Sequence, residues 1–259
     1  MALSLATDEH GLVREALRER YGWSEEIHVA DRLTAAHAAA GSPSPALVLL
    51  ADAQWEGIGV NEDGNVQRVT FVGSNAPITL ADRPTCVWIG HRGFEAAALS
   101  QLGGEPTHLH ELLLAHTGAA STQELIHLAH EQAGPAFWTA LAVPVATAAR
   151  EGDEVANHLL DQAGQALGEA ALLLAHALDL AANVPTVVVA GAIADLHPVL
   201  LRRAGEAINA HLPGAELRPV PHVVAGTLRL ALERLGSPGQ AWERLARALV
   251  IRARRRPQP

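Results

Sequence analysis

PTVVVAGAIADLHPVLLRRAGEAI, from Pro185 to Ile208, is the stretch whose reading decides the fold. Thr186, Val187, Val188 and Val189 form a short β-branched run, the signature of a strand buried on both faces. Ala190 and Gly191 then turn the chain, and from Asp195 onward Leu196, Val199, Leu200 and Ala204 recur at helical spacing. A buried strand, a glycine turn and a helix start together offer free backbone N–H groups to an anion or phosphate. A tight strand-to-helix connection would use the same glycine without any ligand.

On either side the chain reads as alternating strands and helices. Strands are expected at Met1 to Ala6, Ile27 to Ala30 and Ala46 to Ala51, with helices over Leu12 to Tyr21 and Arg32 to Ala40. Asp31 stands directly before the second helix as its N-cap. Trp55 to Asn61 and Val66 to Val72 flank Glu62-Asp63-Gly64, the composition of a hairpin turn. Helices dominate from Val87 to about Ala182, punctuated at Gly103-Gly104-Glu105-Pro106, Gly134-Pro135 and Glu151-Gly152-Asp153. Between Asp153 and Leu180 the residues Ala163, Gly164, Ala166, Gly168, Ala170 and Ala171 predict a central helix that meets a neighbour closely. A strand at Glu216 to Val220 and helices at Val223 to Leu235 and Gln240 to Ile251 follow. The layout is α/β.

Composition narrows the chemistry. The 259 residues can hold one large domain or two modest ones, and 49% are hydrophobic without any apolar run of membrane-spanning length. With no signal-peptide pattern, a soluble, cytoplasmic protein without a membrane partner is expected. The net charge of −9 argues against nucleic acid as a partner, and Arg252, Arg254, Arg255 and Arg256 read as a solvated tail. One cysteine, Cys86, excludes an internal disulfide and an iron–sulfur cluster held by Cys ligands of one chain. Every basic residue is Arg, so the phosphate-loop lysine, a pyridoxal Schiff base and Ser–Lys catalysis are all excluded. Phosphate would have to be held by backbone amides, Arg or a metal.

Fourteen histidines invite a metal reading. His108 and His110 lie one residue apart, and His127 and His130 share a helix face, but no H-E-x-x-H spacing occurs. Capping or surface histidines suffice, and no metal ligand is assigned. A G-x-S-x-G elbow is likewise missing from the sequence. Asp161 and Asp179 are expected to be solvated. Asp31, at a strand end and a helix start, could accept a proton from a substrate hydroxyl as a general base, or could simply cap its helix.

Taken together, these pieces resemble the N-acetylglucosamine kinase-like branch of the actin/hexokinase/heat-shock ATPase superfamily, which also holds the BadF/BcrA-type ATPases. The likeness is strongest from Arg150 to Gly236. Glu151-Gly152-Asp153-Glu154-Val155-Ala156 resembles the family's G-D-x-x-A helix start, and Val188-Val189-Ala190-Gly191-Ala192-Ile193 resembles its strand and Gly-Gly adenosine loop. Gly214-Ala215-Glu216-Leu217 and Val224-Ala225-Gly226-Thr227-Leu228 resemble its closing strand and helix. Val29-Ala30-Asp31 stands where the family has V-x-N-D, whose Asp is the catalytic base, and Trp88-Ile89-Gly90 keeps its W-I-G.

Elsewhere the phosphate chemistry departs from that pattern. Asp52-Ala53-Gln54-Trp55 replaces the G-T-G-S phosphate hairpin, adding negative charge and bulk where glycines would let the backbone close on a phosphate. Ser74-Asn75-Ala76-Pro77 replaces G-G-W-G, and in Leu80-Ala81-Asp82-Arg83-Pro84-Thr85-Cys86 only Asp82 remains of the sugar-side acidic pair. The family's opening D-G-G-G-T-K-T hairpin has no counterpart after Met1.

The resemblance implies an α/β fold of the actin/hexokinase (ribonuclease H-like) type. It would comprise an incomplete N-terminal lobe over residues 1–90, including the hairpin, and a helix-rich C-terminal lobe over 91–259. For an active enzyme it implies ATP, Mg²⁺ and an amino-sugar substrate, with Asp31 as base, Asp82 and Asn75 on the sugar and Gly191 and Ala192 on the nucleotide. Phosphoryl transfer rests on positioning and charge stabilisation, so lost phosphate contacts favour the other reading, a non-catalytic binding or assembly module. An abbreviated lobe would expose a sheet edge, from which a homodimer is expected.

Overall fold

The computed structural model describes residues 2–5, 15, 19–20, 28–52, 55–70, 83–131, 134–180 and 186–234. Contacts divide the chain into two compact units, Met1–Pro43 with His222–Pro259, and Ser44–Pro221. The boundary expected at residue 90 is therefore not the one observed; it would fall inside a helix spanning Cys86–Ser100. The physical reason is strand pairing. The strand Ala46–Ala51, expected in the first lobe, pairs with Thr186–Ala190 from the last third of the chain, and the hairpin strands join it in the same sheet and unit.

In the first unit, β1 (Ala2–Leu5) and β2 (His28–Asp31) pair in parallel, Ala2 opposite His28 and Leu5 opposite Asp31. Helix α1 (Arg32–Ala39) follows at once and buries Leu33, Ala35, Ala36 and Ala38. Helix α8 (Val224–Arg234) packs against α1, and Arg229 Nη1 donates to the Ala38 carbonyl at 3.2 Å. Most of the helix expected at Leu12 to Tyr21, and all of that at Gln240 to Ile251, lie outside the described residues, as does the terminal arginine cluster.

The second unit is built on a five-stranded sheet in the order β5-β4-β3-β6-β7. Its strands are β3 (Ala46–Ala51), β4 (Trp55–Val60), β5 (Val66–Thr70), β6 (Thr186–Ala190) and β7 (Glu216–Val220). The first three form an antiparallel meander; β6 then pairs in parallel with β3, and β7 in parallel with β6. Central placement explains the apolar runs, since all residues of β3 and β6 are buried.

Helices α2 (Cys86–Ser100), α3 (Leu109–Thr117), α4 (Thr122–Glu131), α5 (Pro135–Arg150) and α6 (Glu154–Ala177) lie between β5 and β6 in sequence. The small residues of α6 serve close helix packing, as expected. A Cβ at Gly164 would stand 2.5 Å from the Leu200 carbonyl oxygen and 2.8 Å from Arg203 Cβ of helix α7 (Pro198–His211). Asp161 on that face is ion-paired with Arg203 Nε at 3.4 Å, so it is engaged rather than merely solvated.

Helix α7 starts three residues later than the apolar spacing suggests. A short 3₁₀ turn spans Ala192–Asp195, and α7 begins at Pro198 with His197 as its cap. Proline fits the first helical position because its missing N–H needs no partner there.

Candidate functional site

Strand register creates the junction of interest. Leu50 of β3 lies opposite Ala190 of β6 in a parallel pair, so the residues that follow each strand emerge together at the carboxyl end of the sheet. That end is where open α/β sheets place ligands. The following residues are Asp52 on one side and Gly191-Ala192 on the other.

Gly191 has φ 94° and ψ −167°, backbone space that side chains other than glycine avoid. Its N–H donates to the carbonyl of Val220, the last residue of β7, at 3.1 Å. The next amide, Ala192 N–H, donates to Asp52 Oδ1 at 3.1 Å. A Cβ placed on Gly191 would collide with the Asp52 carboxylate. The turn that sequence reasoning assigned to a nucleotide is thus fixed by β7 on one amide and by a protein carboxylate on the next. Asp52 was legible only as a charge opposing phosphate; its hydrogen bond to a residue 140 positions away left no mark in the sequence pattern.

Asp31 ends β2 and caps α1. Its Oδ1 accepts from the amides of Leu33 and Thr34, both at 3.0 Å, and its Oδ2 from Thr34 Oγ1 at 2.7 Å. The cap reading is therefore realised in the geometry. Asp31 belongs to the first unit and the Gly191 turn to the second. Asn75 and Asp82 lie outside the described residues. Arg83, next to Asp82 in sequence, places its guanidinium 4.8 Å from the centre of the Trp88 ring, a cation–π contact.

Other candidates resolve into structural roles. His108 donates its backbone amide to Asp153 Oδ2 at 2.7 Å, whereas the His110 ring pairs through Nε2 with Thr122 Oγ1 at 2.7 Å. His127 pairs with Glu131 at 3.2 Å, and His130 Nδ1 lies 3.1 Å from the Ile126 carbonyl. Among the described residues no three His, Cys, Asp or Glu side chains gather as a metal-ligating group. Cys86 is buried and its thiol is pushed up to about 12 by that burial, leaving it un-ionised and inert near neutrality.

An open cleft of about 550 Å³, bordered by Arg92, Glu95, Leu99, Glu105, Glu154 and His158, contains none of the expected site residues. Among the described residues no helix is long and apolar enough to cross a membrane.

No protein-family profile matches the sequence, and no curated protein matches it. Solved structures do. A protein assigned as an N-acetylglucosamine kinase from Porphyromonas gingivalis superposes with a TM-score of 0.64 at 14% identity, covering 90% of this chain and 76% of its own. One with the same assignment from Chromobacterium violaceum gives 0.58 at 23% identity, covering 88% and 75%. A ROK family glucokinase from Streptomyces griseus, solved with glucose and AMPPNP, gives 0.52 at 15% identity, covering 80% and 64%. The chain has the α/β fold of these sugar kinases, the actin/hexokinase type, and the expected fold class holds.

Proposed function

We propose that this protein is an ATP-dependent sugar kinase of the N-acetylglucosamine/glucosamine type, transferring phosphate to an alcohol group of an amino sugar. In this reading the sugar hydroxyl oxygen attacks the γ-phosphorus of Mg·ATP, ADP leaves, and the hydroxyl proton passes to Asp31. Asp82 and Asn75 hold the sugar, and Gly191 with Ala192 contacts the nucleotide. Mg²⁺ arrives as part of the Mg·ATP substrate. The observation that carries the reading is the left-handed Gly191 turn at the carboxyl end of the β3–β6 pair, in a fold whose solved examples include sugar kinases. The protein works in the cytoplasm without nucleic-acid or membrane partners.

Calorimetric titration with Mg·ATP and with N-acetylglucosamine tests it. Binding of both, with sugar-phosphate formation abolished by Asp31→Ala, is the expected result; binding of neither overturns it.

A second reading is favoured by one contact, the Asp52 carboxylate on the Ala192 amide. The chain is then a non-catalytic kinase-fold relative that binds or assembles, as a homodimer or with a partner covering a sheet edge. A monodisperse monomer by sedimentation would count against that assembly.

A further inference from the structure

We propose that Asp52 is a built-in occupant of the Gly191–Ala192 turn, an autoinhibitory contact that must release before an anionic nucleotide can use that turn. The inference rests on the reading of this turn as the nucleotide-side loop.

Three observations converge on it. The parallel register that pairs Leu50 with Ala190 delivers the two loops to the same end of the sheet, so the fold itself brings Asp52 beside the turn. Asp52 Oδ1 takes the Ala192 amide at 3.1 Å. The hollow left by the missing Gly191 side chain is filled by the same carboxylate, because a Cβ there would strike Oδ1. Glycine at 191 therefore serves two needs at once: a backbone conformation at φ 94° and room for Asp52.

A carboxylate and an anionic nucleotide compete for such a place on two counts. Both seek the same N–H donor, and each repels the other's charge at close range. The neighbouring Gly191 amide offers no alternative, since the Val220 carbonyl already accepts it. Removing the Asp52 carboxylate frees one donor, opens the hollow and deletes the repulsion together.

The test uses the full chain and its Asp52→Gly and Asp52→Ser variants, each checked for cooperative unfolding. Mg·ADP and Mg·ATP affinities are measured by calorimetry, and hydrogen exchange of the Ala192 amide by NMR. The expected result is at least tenfold tighter nucleotide binding in both variants and faster exchange at Ala192. Equal nucleotide binding by wild type and variants overturns the autoinhibitory role while leaving the nucleotide site standing. Unchanged exchange at Ala192 also overturns it, whatever the nucleotide does. Faster exchange without nucleotide binding by any form removes the nucleotide reading, and the inference with it.

Discussion

Two helices of this protein begin on an aspartate, and the two starts are built differently. At Asp31 the three hydrogen bonds described come from residues no more than three positions downstream, namely Leu33, Thr34 and the Thr34 hydroxyl. At Asp153, ahead of α6, one oxygen caps the helix through Ala156 N–H at 2.8 Å. The other reaches back to the Thr107 hydroxyl at 2.8 Å and the His108 amide at 2.7 Å. Asp153 is 6% exposed, while Asp31 is half-buried. The described bonds of Asp31 are thus those of a helix cap, whereas Asp153 is both a cap and a tertiary clasp joining the starts of α3 and α6. A clasp is committed to the fold, whereas a cap can also serve chemistry.

The sharpest way to break this comparison is Asp31→Asn. Asparagine caps a helix about as well as aspartate, so stability should move by only a few tenths of a kcal/mol. Loss of the proton acceptor should lower sugar-phosphate formation by about 10²–10⁴-fold. Turnover equal to wild type would leave Asp31 a cap and nothing more.

Next in size is Asp153→Ala. It leaves the Ala156 and His108 amides and the Thr107 hydroxyl without their acceptor. The loss should be about 2–4 kcal/mol, read from the urea midpoint. Loss of the capping bonds in Asp31→Ala should cost about 1 kcal/mol by the same measurement. Equal costs would erase the distinction between the two starts.

The contrast also explains what could be read from the sequence. Local signals were legible: the β-branched run of β6, the Asp31 cap before an alanine-rich helix, and β3 and β7, whose bounds match the expected residues. The glycines of α6 announced close packing, and α7 supplied it. Long-range pairings were not legible. Parallel pairing of β3 with β6 joins residues some 140 positions apart and moved the domain boundary from residue 90 to Ser44. The Asp52–Ala192 bond depends on that register, so no periodicity could disclose it. Likewise the helical spacing from Asp195 missed the 3₁₀ turn, because the same apolar residues satisfy a turn followed by a capped helix.

A smaller effect extends the comparison to pH, through Asp153 and a third helix cap, His197. Burial alone would raise the Asp153 carboxyl. The amides of Ala156 and His108, the Thr107 hydroxyl and the charge of His108 instead bring it below its ordinary 3.8. Its folded value lies below the unfolded one, so its stabilisation is complete above about pH 4 and is lost only as acid drives the pH through the folded value. His197 is held below its ordinary 6.5 by burial and then by the Arg150 charge, while its Nδ1 accepts the Val199 amide at 3.2 Å. The unfolded ring binds the proton first, so its contribution is complete above about pH 6.5 and drains away as the pH falls below that. The two losses therefore set in at different pH values, that of His197 first as the pH falls. His197→Asn keeps a capping side chain but cannot titrate, so its urea midpoint should fall less than that of wild type between about pH 7 and 5. Identical slopes would mean that the His197 ring takes up its proton alike in the folded and unfolded chains, leaving Asp153 as the cap whose contribution varies with pH.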